Sequence, residues 1–435
     1  MPAPISSALL NERAKDRSAY GWAVLIPTIV LLRTLVFAVG VISVHTVHSL
    51  DQIQPSDASG FPWIAFDSHF YRNILINGYP PGPTVPYQIA FFPLFPLAAR
   101  TLLPMFEALV GPQTASHEAL VTVSNICSII GLCFVYAWAR LLIDARTAFV
   151  STLLLALYPS AVFFSAGLTE GLFLMFAALA LYLLQKQRLY AAAAVSALAS
   201  ASRPTAVSLA ATVVLWTIYY SWNLPKKQLV LRVLLIGMIS VAGAASYQCY
   251  IWNRYQRFDA FKAAEDKWDL ESDPIELPTN QRLIEGVDQV WSSPNLTVTP
   301  ASFDQWAKTA PAQPDPKRYS MEFFIDRLRR TSAWNRAMAL VLLCVLVGAA
   351  LRRTAVPKLV LVLPALIFMM SYLPNSGLRA SSILRYESAG IPLFVVMAIW
   401  LSAPRRKPLL LAVGGLSLIV QLYYAFLFSR GFWVG

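Results

Sequence analysis

Long apolar runs separated by short polar turns recur from one end of this chain to the other. The first run, Tyr20 to Val44, is long enough to cross the hydrocarbon core of a bilayer as one helix. It lacks the small-residue cleavage site of a signal peptide, so we interpret it as a retained membrane span. The pattern as a whole predicts an all-α, polytopic integral membrane protein with about 11 transmembrane helices.

The other spans begin after residue 118. They are expected at residues 119–141, 148–166, 170–185, 189–203, 205–222, 229–252, 334–352, 357–373, 389–402 and 408–428. The pair within residues 189–222 can also be interpreted as one span, because 34 residues are many for one span and few for two. Arg203-Pro204 marks the break, since the residue before a proline resists the helical conformation.

Ala90 to Phe106 is apolar as well, but its prolines, its Arg100 and its short length are typical of an interfacial helix. The distribution of charge favours that placement. With this helix on the outer surface, the inner loops carry 16 basic and 3 acidic residues, a net charge of +13, and the rest of the chain sums to −1. Basic loops face the cytoplasm, so we expect residues 45–118 to form an outer loop.

Composition excludes an ordinary soluble protein, since 57% of the residues are hydrophobic, 13% are charged and the mean hydropathy is +0.55. The net charge of +12 predicts no nucleic-acid partner, because the excess lies in the inner loops. The four cysteines sit in apolar runs and predict neither disulfides nor metal ligands. Three parts are expected: a membrane module at 1–252, an extracytoplasmic lid at 253–333 and C-terminal spans at 334–435.

The first outer loop contains Phe66-Asp67-Ser68-His69-Phe70-Tyr71-Arg72. A carboxylate flanked by a histidine, an arginine and aromatic rings is a candidate general base, and its neighbours are candidate sugar-binding residues. Taken alone, the stretch is more typical of a hydrated loop of interfacial aromatics, which collect at membrane surfaces in any case. The positions of the other membrane-associated charges favour the catalytic interpretation.

Ionisable residues within or at the ends of spans are costly and are functional candidates by default. Glu170, Arg203 and Arg385, with Arg379 nearby, all fall on the predicted outer side. The alternative is that these charged residues have no role in a site and occur in turns only because charged side chains are tolerated there. Arg203 follows a run of small residues that offers few local partners, so it would need an anion. Arg33 lies within the first span and is expected to be structural, paired with a carboxylate or with backbone carbonyls.

The predicted lid opens with Phe258 to Trp268, in which Phe261, Glu265 and Trp268 fall on one helical face. This spacing is more typical of an amphipathic helix that caps the membrane domain than of a sugar-binding surface. Lys262 and Trp268 are nevertheless retained as candidate substrate-binding residues.

These segments, in this order, resemble the PIG-V family of mannosyltransferases, which add the second mannose in GPI-anchor assembly, and their prokaryotic relatives. The likeness covers nearly the whole chain and is carried by Asp67 with Ile74, Gly78 and Tyr79, by Ala90-Phe91-Phe92-Pro93-Leu94-Phe95-Pro96-Leu97, by Ala166-Gly167-Leu168-Thr169-Glu170-Gly171-Leu172-Phe173, by Ser202-Arg203, by Phe258 to Trp268, and by Arg385-Tyr386 before Ile391-Pro392-Leu393-Phe394. The chain departs from the family at two places. Phe66 replaces the usual tryptophan, and Phe70 stands where the family has a histidine or an aromatic residue, with His69 one place early.

The resemblance implies the GT-C architecture, a polyprenyl-phosphate-linked sugar donor, and an outer-loop carboxylate as base. Asp67 would be catalytic, with substrate-binding positions at His69, Tyr71, Glu170, Arg203, Lys262, Trp268, Arg379 and Arg385. The expected partners are polyprenyl-phosphate-mannose, a glycolipid or lipid-linked acceptor, and membrane lipids, with no cofactor beyond the donor. The site would face the outside at the plasma membrane of a prokaryote, or the lumen of the endoplasmic reticulum of a eukaryote.

The chemistry supports the same interpretation. A sugar that leaves a lipid phosphate needs one base and no acid, because the phosphate departs unprotonated. Arginines can neutralise that phosphate, and Asp67 has no Asp-x-Asp beside it, so no metal is predicted. A transporter or flippase of lipid-linked sugars, a non-catalytic subunit of a glycosylation complex, and a GT-C enzyme for another sugar are the alternatives.

Overall fold

The computed structural model of the chain describes residues 20–46, 61–81, 86–264, 333–372, 383–430 and 434. Within these ranges the secondary structure is helical. The α-helices are α1 Trp22–Thr46, α2 Asp67–Asn77, α3 Leu94–Arg100, α4 Leu103–Val110, α5 Pro112–Ala139, α6 Ala145–Ala156, α7 Glu170–Gln185, α8 Leu189–Ser200, α9 Ala206–Ser221, α10 Lys226–Tyr255, α11 Ala333–Leu351, α12 Val362–Tyr372, α13 Ile383–Glu387, α14 Ile391–Leu401 and α15 Lys407–Ser429. Short 3₁₀ segments lie at Tyr87–Ala90, Pro159–Phe164, Lys358–Leu361 and Pro404–Arg406.

Four helical segments in the described ranges are long and apolar enough to cross a membrane: Trp22–Val44, Pro112–Ala139, Lys226–Tyr255 and Pro404–Ser429. Seven shorter apolar helices of 10–17 residues accompany them. The prediction of an all-α polytopic membrane protein is therefore confirmed, and the helix α7 has the bounds of the predicted span 170–185.

Residues 189–222 form two helices rather than one. The helix α8 ends at Ser200 and α9 begins at Ala206, with Arg203-Pro204 in the turn between them, as the sequence predicts. The two helices have 12 and 16 residues, roughly 18 and 24 Å at 1.5 Å per residue. Both are shorter than a hydrocarbon core of about 30 Å, as is the 16-residue α7, and the two helices form a hairpin around the turn.

The apolar stretch around Phe91-Phe92-Pro93 contains only short helices, which agrees with the prediction that it is not a span. Two hydrogen bonds tie it to the turn after α8 and to the helix α10. The backbone amide of Leu94 donates to the carbonyl of Ala201 at 3.1 Å, and the Tyr247 hydroxyl donates to the carbonyl of Ile89 at 2.9 Å. The stretch therefore lies beside the turn that contains Arg203.

The predicted span 148–166 is interrupted, because the helix α6 ends at Ala156 and Pro159 opens a 3₁₀ segment. Arg33 Nη1 donates to the carbonyl of Ala161 at 2.9 Å, and Nη2 bonds the hydroxyl of Ser165. Arg33 is thus structural as expected, and of the two expected partners the described residues supply the carbonyl rather than a carboxylate.

Two glycines allow a close contact between the helices α5 and α7. A Cβ atom on Gly171 would lie 2.3 Å from the carbonyl oxygen of Ser124, and one on Gly131 would lie 2.9 Å from the backbone nitrogen of Met175. Both positions therefore require a residue without a side chain. This contact fixes the first turn of α7, where Glu170 is the first residue.

Candidate active site

Asp67 is the first residue of α2, where a carboxylate is stabilised by the positive end of the helix dipole. The residue before it, Phe66, has a φ of 54°, in a region that residues with side chains rarely adopt. Such a conformation costs about 1–3 kcal/mol and persists only where the surroundings enforce it. Here the Phe66 ring packs on that of Phe428, with centroids 5.8 Å apart. Packing therefore holds the turn that orients Asp67.

The segment before Asp67 is joined directly to the turn before Glu170. The backbone amide of Gly167 donates to the carbonyl of Trp63 at 3.0 Å. A Cβ atom on Gly167 would lie 2.7 Å from Cδ1 of Ile64, so the two segments pack closely. The acidic residues of two separate loops are thus brought to one end of the helical bundle.

Four charged side chains meet at that end, and we name them the charge cluster: Asp67, Glu170, Arg203 and Arg385. Arg385 Nη1 donates to Asp67 Oδ2 at 2.7 Å, and its Nε donates to Glu170 Oε1 at 2.5 Å. Arg203 Nη1 lies 3.2 Å from the same oxygen of Glu170. Two carboxylates and two guanidinium groups give the cluster a net charge of zero.

The members of the charge cluster differ in exposure. The side chain of Asp67 is 28% exposed, whereas those of Arg203, Arg385 and Glu170 are 7%, 5% and 0% exposed. Asp67 is therefore the carboxylate that a ligand can reach. Burial alone would lower the pKa of Arg385, but the charges of Glu170 and Asp67 raise that pKa well above its usual value, so Arg385 stays charged.

Aromatic rings hold the two arginines in place. The guanidinium of Arg203 lies 5.4 Å from the ring centroid of Phe173 and 5.0 Å from that of Tyr386. That of Arg385 lies 5.3 Å from the Phe163 ring. The sequence predicted that Arg203 needs an anion, and Glu170 is one. The aromatic partners were missed, because two of these three rings come from segments remote in sequence from the arginine that they contact.

Tyr71 also belongs to this end of the bundle. It follows Asp67 by one helical turn and is buried. Its ring packs edge-on against Phe95 at 5.2 Å. Burial, then the neighbouring charges of Asp67 and Glu170, raise the pKa of Tyr71. A neutral hydroxyl therefore lies at the edge of the charge cluster.

The remaining predicted residues are placed differently. His69 is half-buried in α2, two residues after Asp67 and therefore on a different helical face. Lys262 is exposed, and no ion pair joins it to the charge cluster in the described ranges. Trp268 and Arg379 lie outside the described residues.

One buried carboxyl group was not singled out from the sequence. Glu387, two residues after Arg385, is fully buried, and neither of its carboxyl oxygens has a hydrogen-bond partner among the described residues. Burial raises the pKa of Glu387 well above its usual value. Burial therefore favours the neutral, protonated form of this carboxyl group. The available signal was an acidic residue immediately before an apolar helix, which is costly unless neutralised.

A comparison with protein families finds a match over residues 96–247, to the family described as dolichyl-phosphate-mannose-protein mannosyltransferase. The match covers about a third of the chain. It is not the PIG-V family, so the finer resemblance stays a prediction. No curated protein matches the chain.

Among solved structures, the oligosaccharyltransferase of Archaeoglobus fulgidus in its apo form aligns with a TM-score of 0.46 at 11% identity, over 95% of this chain and 56% of that one. Its complex with an inhibitory peptide and a dolichol-phosphate gives 0.43 at 13% identity, over 92% and 55%. ArnT from Cupriavidus metallidurans bound to undecaprenyl phosphate gives 0.37 at 14% identity, over 95% and 78%. The chain thus spans little more than half of the archaeal protein, and the similarities are weak.

The matched region begins at Pro96 in α3 and ends at Tyr247 in the C-terminal half of α10. It includes Glu170 and Arg203, whereas Asp67 and Arg385 lie outside it. Half of the charge cluster thus lies within the region that matches the mannosyltransferase family: Glu170 at the first residue of α7, and Arg203 in the turn between α8 and α9.

Proposed function

We propose that this protein is a membrane glycosyltransferase that moves a sugar, mannose in the first instance, from a polyprenyl-phosphate donor to a hydroxyl group of a glycolipid or lipid-linked acceptor. The observation that carries the proposal is the charge cluster. One reachable carboxylate stands against two buried arginines at one end of an apolar helical bundle. The proposed transfer needs both kinds of group: arginines that bind the lipid-linked phosphate, and a carboxylate that accepts the proton of the sugar hydroxyl.

Asp67 is the general base in this reaction. Its carboxylate is the reachable one, whereas that of Glu170 is enclosed. The acceptor oxygen bonds to the anomeric carbon as its proton passes to Asp67, and the bond from that carbon to the phosphate oxygen breaks. The electron pair leaves with the polyprenyl phosphate, and the configuration of the sugar inverts. No acid is required, because the phosphate departs as an anion.

Arg203 and Arg385 hold the phosphate of the donor and stabilise the charge that develops as it leaves. A guanidinium can direct two N–H groups at phosphate oxygens. Both side chains are buried, so their interaction with an anion is weakly screened by solvent. The family match, to enzymes named for dolichyl-phosphate-mannose, favours this donor class and this sugar.

The site faces the extracytoplasmic or lumenal side in this proposal. The helix α7 carries Glu170 at its first residue, and the basic residues Lys186 and Arg188 follow its last turn. The predicted cytoplasmic charge excess therefore lies at the opposite end of this helix from the charge cluster.

The proposal is tested by transfer from radiolabelled polyprenyl-phosphate-mannose in membranes that contain the wild type or Asp67→Asn. The variant should fold normally and lose about two to four orders of magnitude in turnover, the scale of a lost general base. Glu107→Gln, at an exposed acidic position in α4, is the matched control and should behave as the wild type. Near-normal transfer by Asp67→Asn would remove Asp67 from the mechanism. Movement of the lipid-linked sugar across the membrane without any transfer would instead identify a flippase.

A further inference from the structure

Glu170 shares a single carboxylate oxygen between two arginines. Its Oε1 accepts from Arg385 Nε at 2.5 Å and lies 3.2 Å from Arg203 Nη1. Its side chain is fully enclosed, so solvent does not screen its charge. Any anion that enters to bind these guanidinium groups must therefore compete with Glu170.

The carboxylate of Glu170 is fixed in place. Its backbone is the first turn of α7, which the Gly171 contact with Ser124 presses against α5. The helix dipole there stabilises a negative charge. Its second oxygen, Oε2, is buried and has no hydrogen-bond partner among the described residues. The site thus contains a permanent anion whose hydrogen-bonding capacity is not fully used.

The substrate and the product of the proposed reaction differ in charge. The donor is a phosphate diester with one negative charge. The product is a phosphate monoester with a charge of about −1.5 to −2 at pH 7. Two arginines without a counter-anion would hold the product more tightly than the donor, and the enzyme would be inhibited by its own product. A fixed carboxylate penalises the more negative ligand more strongly.

We propose that Glu170 is a positioning residue that weakens the hold of Arg203 and Arg385 on the product phosphate and keeps Arg385 directed at Asp67. This inference rests on the proposed function, because it takes the anion to be a polyprenyl phosphate. Glu170 does not contact the reacting atoms. Its effect reaches Asp67 through the guanidinium of Arg385, which bonds both carboxylates.

The test measures binding of undecaprenyl phosphate to the purified full-length protein, together with KM for the donor and kcat. Glu170→Gln should bind undecaprenyl phosphate about tenfold more tightly or better, the scale of a close charge interaction. KM for the donor should fall, and kcat should fall at least as far, because the product leaves slowly and Arg385 is no longer held from two sides. A purely structural role would lower the thermal midpoint and the active fraction and leave KM unchanged.

Two further variants show whether the charge is responsible. Adding Arg203→Ala to Glu170→Gln should abolish the tighter binding. Glu170→Asp keeps the charge, so its affinity for undecaprenyl phosphate should stay within about twofold of wild type while kcat falls. If Glu170→Asp bound undecaprenyl phosphate about tenfold more tightly than the wild type, the effect would come from packing and the inference would be overturned, whether or not Glu170→Gln folds.

The outcomes separate this inference from the proposed function. If the wild type binds undecaprenyl phosphate and Glu170→Gln binds it no more tightly, the role of Glu170 is wrong and the glycosyltransferase proposal stands. If the wild type neither binds undecaprenyl phosphate nor transfers a sugar, both proposals fail. Glu107→Gln is again the control for removal of an exposed carboxylate.

Discussion

Arg385 places its Nη1 atom 2.7 Å from Oδ2 of Asp67, a residue 318 positions earlier in the chain. The Nε atom of the same guanidinium bonds Glu170. A guanidinium is planar and directs its donors in fixed directions, so one side chain can orient two carboxylates at once. The placement of Asp67 therefore depends on a residue from the other half of the chain.

We expect Arg385→Lys to lower kcat by about tenfold to a hundredfold, since an ammonium group is a point charge that cannot reproduce two directed bonds. The measurement is transfer activity in parallel with the thermal midpoint. Arg257→Lys is the matched control, because Arg257 forms an ion pair with Asp259 at 2.6 Å but is 48% exposed and remote from the charge cluster in sequence. Equal activity of the two variants would show that Arg385 does not orient Asp67.

Arg203→Lys should be nearly as harmful as Arg203→Ala, because a lysine cannot hold two phosphate oxygens at once. The expected loss is about tenfold to a hundredfold in donor efficiency, and it should appear in donor affinity as well as in rate. A double-mutant cycle with Glu170→Gln separates this role from simple pairing. If Glu170→Gln restores the stability of Arg203→Ala, and donor affinity changes in neither variant, the arginine is structural.

Glu387 should make the protein less stable as the pH rises. Its ordinary pKa is about 4.3, and burial raises the folded-state value well above that. The folded state therefore binds the proton over a range in which the unfolded state releases it. The stabilising contribution is complete below the unfolded pKa and is lost towards the folded pKa, at up to about 1.4 kcal/mol per pH unit.

Glu387→Gln is neutral at every pH, so its thermal midpoint relative to the wild type should rise from pH 5.5 to pH 8. The measurement is thermal unfolding in detergent at both values. A difference that does not change with pH would mean that Glu387 has no raised pKa in the folded protein.

The predicted orientation can be tested by labelling. Single cysteines at Gln113 and Gln187, in a cysteine-free background, both occupy exposed positions near opposite ends of the bundle. We expect an impermeant maleimide added outside the cell to label position 113 and not position 187. The reverse result would invert the topology and move the charge cluster to the cytoplasmic side.

The sequence was sufficient to predict the helices, because apolar runs of this length have few alternatives to membrane insertion. It also assigned Asp67, Glu170, Arg203 and Arg385 to one side, since the charge of the loops constrains which turns share a face. It could not assign their partners. Whether Arg385 meets Asp67 or Glu170 depends on how helices hundreds of residues apart pack, and hydrophobicity does not encode that. The same reason hid the Tyr386 ring beside Arg203. The break between Ala156 and Pro159 did have a local signal, because a proline disrupts a helix, and the predicted span 148–166 did not take it into account.

Gly171 has a consequence for the genetics of this protein. A methyl group there would lie 2.3 Å from a backbone oxygen of Ser124, which cannot rotate away, whereas one on Gly167 would first meet the flexible end of Ile64. A survey of random alleles should therefore recover Gly171→Ala among null mutations and find Gly167→Ala milder. Gly171, which takes no part in the proposed reaction, would then be as intolerant of substitution as Asp67, because its contact with Ser124 sets the position of Glu170 relative to the other charged residues.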